Sequence, residues 1–127
     1  MIQLRLPYPP SINAYWLVSG HRRYISKRGI KFKQAVADYV LEWRIPKLGS
    51  QPLEIEIWLH PRSKQLMDID NCVKPIIDAC QDAGIFDNDV QVQQLFVKRS
   101  KAKKGGGCTV WIDVLSTSPD VCSDELS

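Results

Sequence analysis

Alternating and periodically spaced apolar residues predict six elements of regular structure along this chain. Alternation predicts four strands, at residues 2–6, 53–59, 90–99 and 108–115. Apolar residues spaced three and four apart predict two amphipathic helices, at residues 27–45 behind the N-cap Ser26 and at residues 71–83 before Gly84. The order βαβαββ indicates an α+β fold, a two-layer sandwich in which two helices cover one face of a mixed four-stranded sheet.

The segments between these elements carry turn residues or lack a period. Residues 12–25 are predicted to be irregular, and residues 87–89 to form a polar turn. A break in the alternation near Gln93 and Gln94 indicates a bulge, and the run 103–107 (Lys-Lys-Gly-Gly-Gly) predicts a flexible hairpin tip before the last strand. We expect residues 1–115 to form one domain and the Ser- and Asp-rich residues 116–127 to form a disordered tail.

Length and composition narrow the class of protein. A chain of 127 residues is long enough for a single core. It has no apolar run long enough to span a membrane and no secretory signal at its start, so we expect a cytoplasmic protein without a membrane partner. Its four cysteines and two histidines lack the spacing of a zinc site, which argues against a zinc protein.

Positive charge is concentrated in two runs, although the net charge is only +3. The runs comprise Arg22, Arg23, Lys27, Arg28, Lys31 and Lys33, and then Lys98, Arg99, Lys101, Lys103 and Lys104. The tail carries Asp120, Asp124 and Glu125 and no base, so the preceding domain is more basic than the total. Such runs suit a polyanion, because basic side chains displace the counterions of phosphates. Solvated loop and helix faces explain the same runs about equally well.

The candidate catalytic residues lie where the second helix begins. Asp68 and Asp70 are two apart in an extended approach that puts both carboxylates on one side, and such hard oxygen ligands favour Mg²⁺, with Mn²⁺ as the alternative. Lys74 lies one turn after Asp70, where a cation can offset the charge of a phosphodiester transition state. A simple cap cluster that stabilises the helix is the alternative interpretation. The spacing permits Asp89 to share this site but does not require it.

Three stretches stand in the order and spacing of a known family. Residues 6–13 (Leu-Pro-Tyr-Pro-Pro-Ser-Ile-Asn) contain Pro-Pro-Ser-x-Asn, and residues 68–74 (Asp-Ile-Asp-Asn-Cys-Val-Lys) contain Asp-x-Asp-Asn-x-x-Lys. Residues 84–86 (Gly-Ile-Phe) lead to residues 89–92 (Asp-Val-Gln-Val), which contain Asp-x-Gln-Val. Together these motifs resemble those of the RusA-type Holliday junction resolvases of bacteria and their prophages, and the agreement runs from about residue 4 to residue 114.

The resemblance implies a Mg²⁺-dependent homodimer that cuts four-way DNA junctions in recombination and repair. It implies three metal-binding aspartates, a catalytic lysine and a supporting asparagine at Asp68, Asp70, Asp89, Lys74 and Asn71. One position departs from the family pattern, since Asn88 stands where an aspartate is common, and this leaves open whether Asp87 assists the site. A dimer suits the substrate, because two symmetric cuts need two related active sites.

The basic runs are then expected to bind phosphate backbones, and Tyr15, Trp16 and Tyr24 to stack on unpaired bases unless they pack against the core. The expected DNA-binding residues are Asn13, Tyr15, Arg22, Arg23, Tyr24, Lys27, Arg28, Lys98, Arg99, Lys101, Lys103 and Lys104. Two other functions stay open. A non-catalytic branched-DNA-binding or nuclease-regulating module of the same fold would bind junctions without a metal. A metal-binding interaction domain would lack the salt-sensitive affinity for DNA that phosphate contacts produce.

Overall fold

The computed structural model describes residues 1–63 and 68–115 and confirms the predicted α+β architecture. The strands are β1 (Ile2–Leu6), β2 (Trp16–Ser19), β3 (Arg22–Ile25), β4 (Leu53–His60), β5 (Val92–Arg99) and β6 (Gly107–Val114). The helices are α1 (Ile12–Tyr15), α2 (Lys27–Glu42) and α3 (Val73–Asp82), with 3-10 turns at Ile69–Cys72 and Asp89–Gln91. The predicted tail at 116–127 lies outside the described residues. No helix in the described part of the chain is long and apolar enough to cross a lipid bilayer.

The main sheet is mixed and four-stranded, as predicted, with the strand order β1-β6-β4-β5. β4 runs parallel to β5 and antiparallel to β6, and β6 runs antiparallel to β1. One face of this sheet carries the buried side chains Ile2, Leu4, Leu6, Leu53, Ile55, Ile57, Leu59, Cys108, Val110 and Ile112. These side chains form one core with the buried residues of α2 and α3, which gives the two-layer sandwich.

Helix α2 begins as the sequence predicts and ends three residues earlier. The Ser26 hydroxyl oxygen accepts a hydrogen bond from the Gly29 backbone N–H at 3.0 Å, which caps the first turn. The helix closes at Glu42 rather than at residue 45. A Cβ atom on Gly29 would lie 2.9 Å from the Tyr15 carbonyl oxygen, so the absence of a side chain lets α2 pack closely on α1.

Residues 12–25 are not irregular, which corrects the prediction. They form α1 and then the antiparallel hairpin of β2 and β3, whose register runs from Trp16 opposite Ile25 to Ser19 opposite Arg22. In the described part of the chain β2 and β3 form a sheet of their own, and most of their side chains are exposed, including Val18 at 74%. Because Trp16 and Ile25 pack against the core and the side chains beyond them are exposed on both faces, the sequence carries no alternation that would reveal the strands.

β5 and β6 do not form a hairpin, and this too corrects the prediction. β4 lies between them, and the connection passes the end of β4, where the Ser100 N–H donates to the Leu59 carbonyl at 2.7 Å. Parallel strands need a crossover connection, and α3 connects β4 to its parallel neighbour β5 in this way. β6 pairs with the other edge of β4. The predicted bulge is confirmed, because Leu53 pairs with Val92 and Glu54 with Gln94, which leaves Gln93 unpaired in the ladder.

Candidate active site

The start of α3 brings the candidate catalytic residues onto one polar face. The predicted helix at 71–83 is two elements, the 3-10 turn Ile69–Cys72 and then α3, with Pro75 in the first turn of α3, where its missing N–H is tolerated. Lys74, Asp78 and Gln81 stand at i, i+4 and i+7, so they share one face of the helix. The opposite face is buried, and its members are Pro75, Ile76, Ile77, Ala79 and Cys80.

Lys74 joins two carboxylates that are far apart in sequence. Its Nζ lies 2.6 Å from Asp89 Oδ2 and 3.1 Å from Asp78 Oδ1. The hydrogen bond to Asp89, followed by the contact with Asp78, raises the pKa of Lys74, and the same bond to Lys74 lowers the pKa of Asp89. The lysine therefore carries its proton and Asp89 is ionised. The contact that sequence spacing left open, between Asp89 and the α3 segment, is formed.

A groove of about 560 Å³ holds this ion pair. Asp70, Lys74 and Asp89 line it together with an otherwise largely apolar wall that comprises Ile69, Val73, Ile77, Val92, Leu95 and Val97. Asp68 and Asp87 are exposed and are not among the lining residues. Asn71 is half-buried in the 3-10 turn and also stands outside the lining. The groove thus combines two carboxylates and an ammonium with an apolar wall.

The turn that presents Asp89 is held by hydrogen bonds on both sides. The Asp89 backbone N–H donates to Gln81 Oε1 at 3.0 Å, which ties the turn to α3. The Asn88 side-chain oxygen accepts from the Val90 N–H at 3.0 Å and caps the turn. Because asparagine caps as well as aspartate, the departure at Asn88 preserves the turn. Asp87 is exposed and does not line the groove, and its assistance to the site stays a prediction.

Gln91 anchors the same turn from the other direction, and its side chain is buried. Its Nε2 donates to the carbonyls of Gly49 at 2.8 Å and Gln51 at 2.7 Å, while its Oε1 accepts from the Asp87 and Asn88 N–H groups at 2.9 and 2.7 Å. The Gln91 amide therefore donates two hydrogen bonds and accepts two, which is its full capacity. The turn cannot shift relative to residues 49–51 without breaking several of these bonds.

Sequence reasoning assigned no role to Gln81 or Gln91. Gln81 was within reach of that reasoning, because it follows Lys74 by seven residues on the same helical face. Gln91 was within reach in part, because Asn88 followed three residues later by Gln91 has the spacing of a capping box. Its bonds to Gly49 and Gln51, about 40 residues earlier in the chain, are shown only by the fold.

The donor chemistry of the groove fits Mg²⁺. Within residues 1–63 and 68–115, no three Asp, Glu, His or Cys side chains are grouped closely enough to hold a metal ion. Mg²⁺ usually takes one or two protein carboxylates and completes its shell with water and substrate phosphates, so Asp70 and Asp89, which both line the groove, are the kind of ligand that it prefers. Metal binding itself, the three-aspartate ligand set that includes Asp68, and the choice between Mg²⁺ and Mn²⁺ stay predictions.

Most of the expected DNA-binding residues lie at the surface, but Tyr15 does not. Tyr15 has no exposed area and packs edge-on against Trp16 at 5.4 Å between ring centroids, so the expectation that it stacks on bases is corrected. The Arg23 guanidinium lies 4.2 Å over the Trp16 ring. The exposed members of the set are Asn13, Arg22, Arg23, Tyr24, Lys27, Arg28, Lys98, Arg99, Lys101, Lys103 and Lys104.

The chain is similar to one nuclease family over nearly all of its described length. The model of the family Endodeoxyribonuclease RusA matches residues 7–113, a range that includes the groove. The crossover junction endodeoxyribonuclease rusA of Enterobacteria phage HK97 is 30% identical over 115 residues, which cover 91% of this chain and 96% of the relative. The proteins of that name from Escherichia coli K12 and Enterobacteria phage 82 are 30% and 32% identical, each over 81% of this chain and 86% of the relative.

Proposed function

The chain belongs to the RusA family of endodeoxyribonucleases, and from this we propose that it is a Mg²⁺-dependent enzyme that resolves four-way DNA junctions by phosphodiester hydrolysis. The observation that carries the proposal is the groove in which Lys74 Nζ lies 2.6 Å from Asp89 Oδ2 beside Asp70. Carboxylates beside an ammonium suit a metal-assisted attack on a phosphate. With four-way DNA junctions as its substrate, the enzyme would act in recombination and repair and would be located in the cytoplasm.

Each groove residue has a distinct role in this proposal. Asp70 and Asp89 would hold the ion, with Asp68 as the third ligand implied by the family motif. Mg²⁺ bound there would polarise the phosphate and lower the pKa of a bound water. Lys74 offers a fixed positive charge to the phosphate oxygens as their negative charge grows in the transition state. Asp78 keeps the ammonium of Lys74 directed at the groove through their 3.1 Å contact.

Incubation of the purified protein with a synthetic four-way junction, with Mg²⁺ or with a chelator, tests this function. We expect paired symmetric nicks with Mg²⁺, none with the chelator, and no cleavage of a linear duplex of the same sequence. Asp70→Asn and Asp89→Asn should abolish cleavage and retain junction binding, because each removes a groove carboxylate and leaves the basic surface intact. Asp87→Asn is the matched control, since it removes the same charge from an exposed position two residues away.

The outcomes separate the open functions. Normal cleavage by Asp89→Asn would overturn the proposed site, and loss of cleavage by Asp87→Asn to the same extent would place the metal elsewhere. Tight junction binding that is indifferent to metal, without cleavage by the wild type, would instead identify a non-catalytic branched-DNA-binding module. Binding of Mg²⁺ without affinity for DNA would identify a metal-binding interaction domain.

We also propose that the enzyme acts as a homodimer, so that two related active sites face the two symmetric cleavage positions. What supports this is the edge strand β5, which has a neighbour on one side only in the described sheet. It exposes Phe96 at 56%, and an edge strand with a large exposed apolar side chain is a typical surface for a second copy to cover. Light scattering should give twice the chain mass, and Phe96→Asp should shift it toward the monomer. A monomeric wild type that makes both cuts would contradict the dimer.

A further inference from the structure

A second groove, of about 620 Å³, lies between the loop after β1, the start of α2 and the chain after β4. Three cationic side chains line it, those of Arg28, Lys31 and Arg62, and no Asp or Glu is among its lining residues. Its walls are Pro7, Tyr8, Pro9, Pro10, Phe32 and Pro61. We call it the basic groove. Arg28 and Lys31 are three apart on α2, so they stand on the same face of the helix.

The basic groove borders the second basic run of the sequence. The Lys103 backbone N–H donates to the Pro61 carbonyl at 2.9 Å, next to Arg62. Gly106 closes the same border, because a Cβ atom there would lie 3.2 Å from Tyr8 Cβ and 3.6 Å from the Arg62 backbone nitrogen. The loop that carries Lys101, Lys103 and Lys104 therefore borders the groove beside Arg62, although these three lysines do not line it.

The basic groove also touches the catalytic segment. Tyr8, which lines the groove, accepts a hydrogen bond at its phenol oxygen from the Cys72 thiol at 3.7 Å. Cys72 has no exposed area and stands in sequence between Asp70 and Lys74. The wall of the basic groove is thus packed directly on the 3-10 turn that precedes α3.

The charges of the basic groove are uncompensated in the described part of the chain. None of the ion pairs formed there involves Arg28, Lys31 or Arg62, and all three side chains are exposed. Phosphate oxygens are the natural partners of such cations, and the proline and phenylalanine walls can contact the apolar faces of sugars. A rigid wall of prolines also loses little conformational freedom when a ligand binds.

We propose that the basic groove binds the phosphodiester backbone of a DNA arm of the junction, adjacent to the strand held at the Asp70–Asp89 groove. This inference rests on the proposed function, adds Arg62 to the residues expected to contact DNA, and assigns Lys31 and Arg62 to one groove. The bound arm would follow the border between the groove and the loop with Lys101, Lys103 and Lys104. The contacts are to the backbone, so they contribute affinity and orientation without regard to base sequence.

The test compares two double variants that each lose one lysine and one arginine. Lys31→Gln with Arg62→Gln removes charge from the basic groove, and Arg44→Gln with Lys47→Gln removes it from an exposed segment outside the groove. Junction affinity is measured by fluorescence anisotropy in chelator over a range of KCl concentrations. The slope of log affinity against log salt should fall by about 0.9 for each phosphate contact that is lost. The control variant should keep the wild-type slope.

An unchanged slope in the groove variant, with the wild type cutting junctions normally, overturns the inference and leaves the proposed function standing. Failure of the wild type to bind or cut junctions overturns the proposed function itself. Lysine acetylation of the wild-type protein, read by mass spectrometry, does not depend on the folding of any variant. The junction should protect Lys31 and leave Lys47 reactive, whereas equal modification of both would exclude Lys31 from the DNA contact.

Discussion

Two lysines contact aspartates of α3, Lys33 at Asp82 and Lys74 at Asp78, and their surroundings differ. Lys33 of α2 pairs with Asp82, the last residue of α3, across the contact between the two helices. Both side chains are partly exposed, at 33% and 46%, and neither lines the groove that holds Lys74. One positive charge meets one negative charge, so this pair is locally neutral and joins two helices.

Lys74 is instead shared between two carboxylates, those of Asp78 and Asp89, in a groove that also holds Asp70. One ammonium cannot neutralise three carboxylates, so an excess of negative charge remains. Carboxylates that repel one another favour a divalent cation between them. The same two residue types therefore stabilise a helix contact at Asp82 and, in the function proposed above, would hold a metal and a phosphate around Lys74.

Removal of each lysine provides the sharpest test of this difference. Lys74→Ala should lower the single-turnover cleavage rate by about 10²-fold, because a charge that stabilises a developing oxyanion is typically worth that factor or more. Lys33→Ala should cleave at the wild-type rate. Junction affinity, measured in chelator, should change little in either variant.

A large loss of junction affinity in Lys74→Ala, with a normal rate once the DNA is saturating, would make Lys74 a binding residue. Equal rate losses in both variants would show that the two lysines act through stability alone. Thermal unfolding of both proteins separates that outcome from a catalytic effect.

Substitution of the aspartate partners should change the cleavage rate in the same direction as substitution of the lysines, by a smaller factor. Asp78→Asn leaves the groove carboxylates in place but releases Lys74 from one of its two contacts, and the Asp78 side chain is only 18% exposed. We expect the cleavage rate to fall by about tenfold, since a 1 Å displacement of a catalytic group can cost up to ~10²-fold. Asp82→Asn, at the helix contact, should leave the rate unchanged.

Asp78→Glu distinguishes a role of Asp78 in positioning Lys74 from a general structural effect. It restores a carboxylate on the same face, so it should recover part of the rate, whereas Asp78→Ala should not. If Asp78→Asn cleaves as fast as the wild type, Asp89 alone is enough to orient Lys74.

The elements that sequence reasoning located are those whose side chains are buried on one face. β4 and α2 were predicted because burial imposes a period on Leu53 to Leu59 and on the apolar residues after Ser26. The hairpin of β2 and β3 was missed because its side chains beyond Trp16 and Ile25 are exposed on both faces. The neighbour of β6 was wrongly assigned because adjacency in a sheet depends on the crossover through α3, which lies outside both strands.

The residues of the candidate site likewise separate into those that local sequence spacing could place and those that it could not. Asp70 and Lys74 both line the groove, as their positions at one helix entrance led us to expect, although Asp70 lies in the 3-10 turn before α3. Their catalytic roles stay predictions. Asp89 was implied by family resemblance and could not be placed by spacing. Its position depends on the hydrogen bond that its backbone N–H donates to Gln81 and on those that the Asp87 and Asn88 N–H groups donate to Gln91. Tyr15 was wrongly assigned to DNA because an aromatic residue in a polar segment carries no local sign of burial.

The smallest expected effect concerns the stability of the helix contact. Lys33→Gln keeps the length of the side chain and removes its charge, so it should lower the free energy of unfolding by less than about 1 kcal/mol, the usual value of an exposed ion pair. The loss should disappear in ~1 M salt, where charges are screened beyond about 3 Å. Chemical denaturation of Lys33→Gln, Asp82→Asn and the double variant measures the coupling directly. A coupling well above 1 kcal/mol that survives high salt would mean that the Lys33–Asp82 pair stabilises the fold more than an ordinary exposed ion pair does. Lys33 and Lys74 would then differ only in their effect on cleavage.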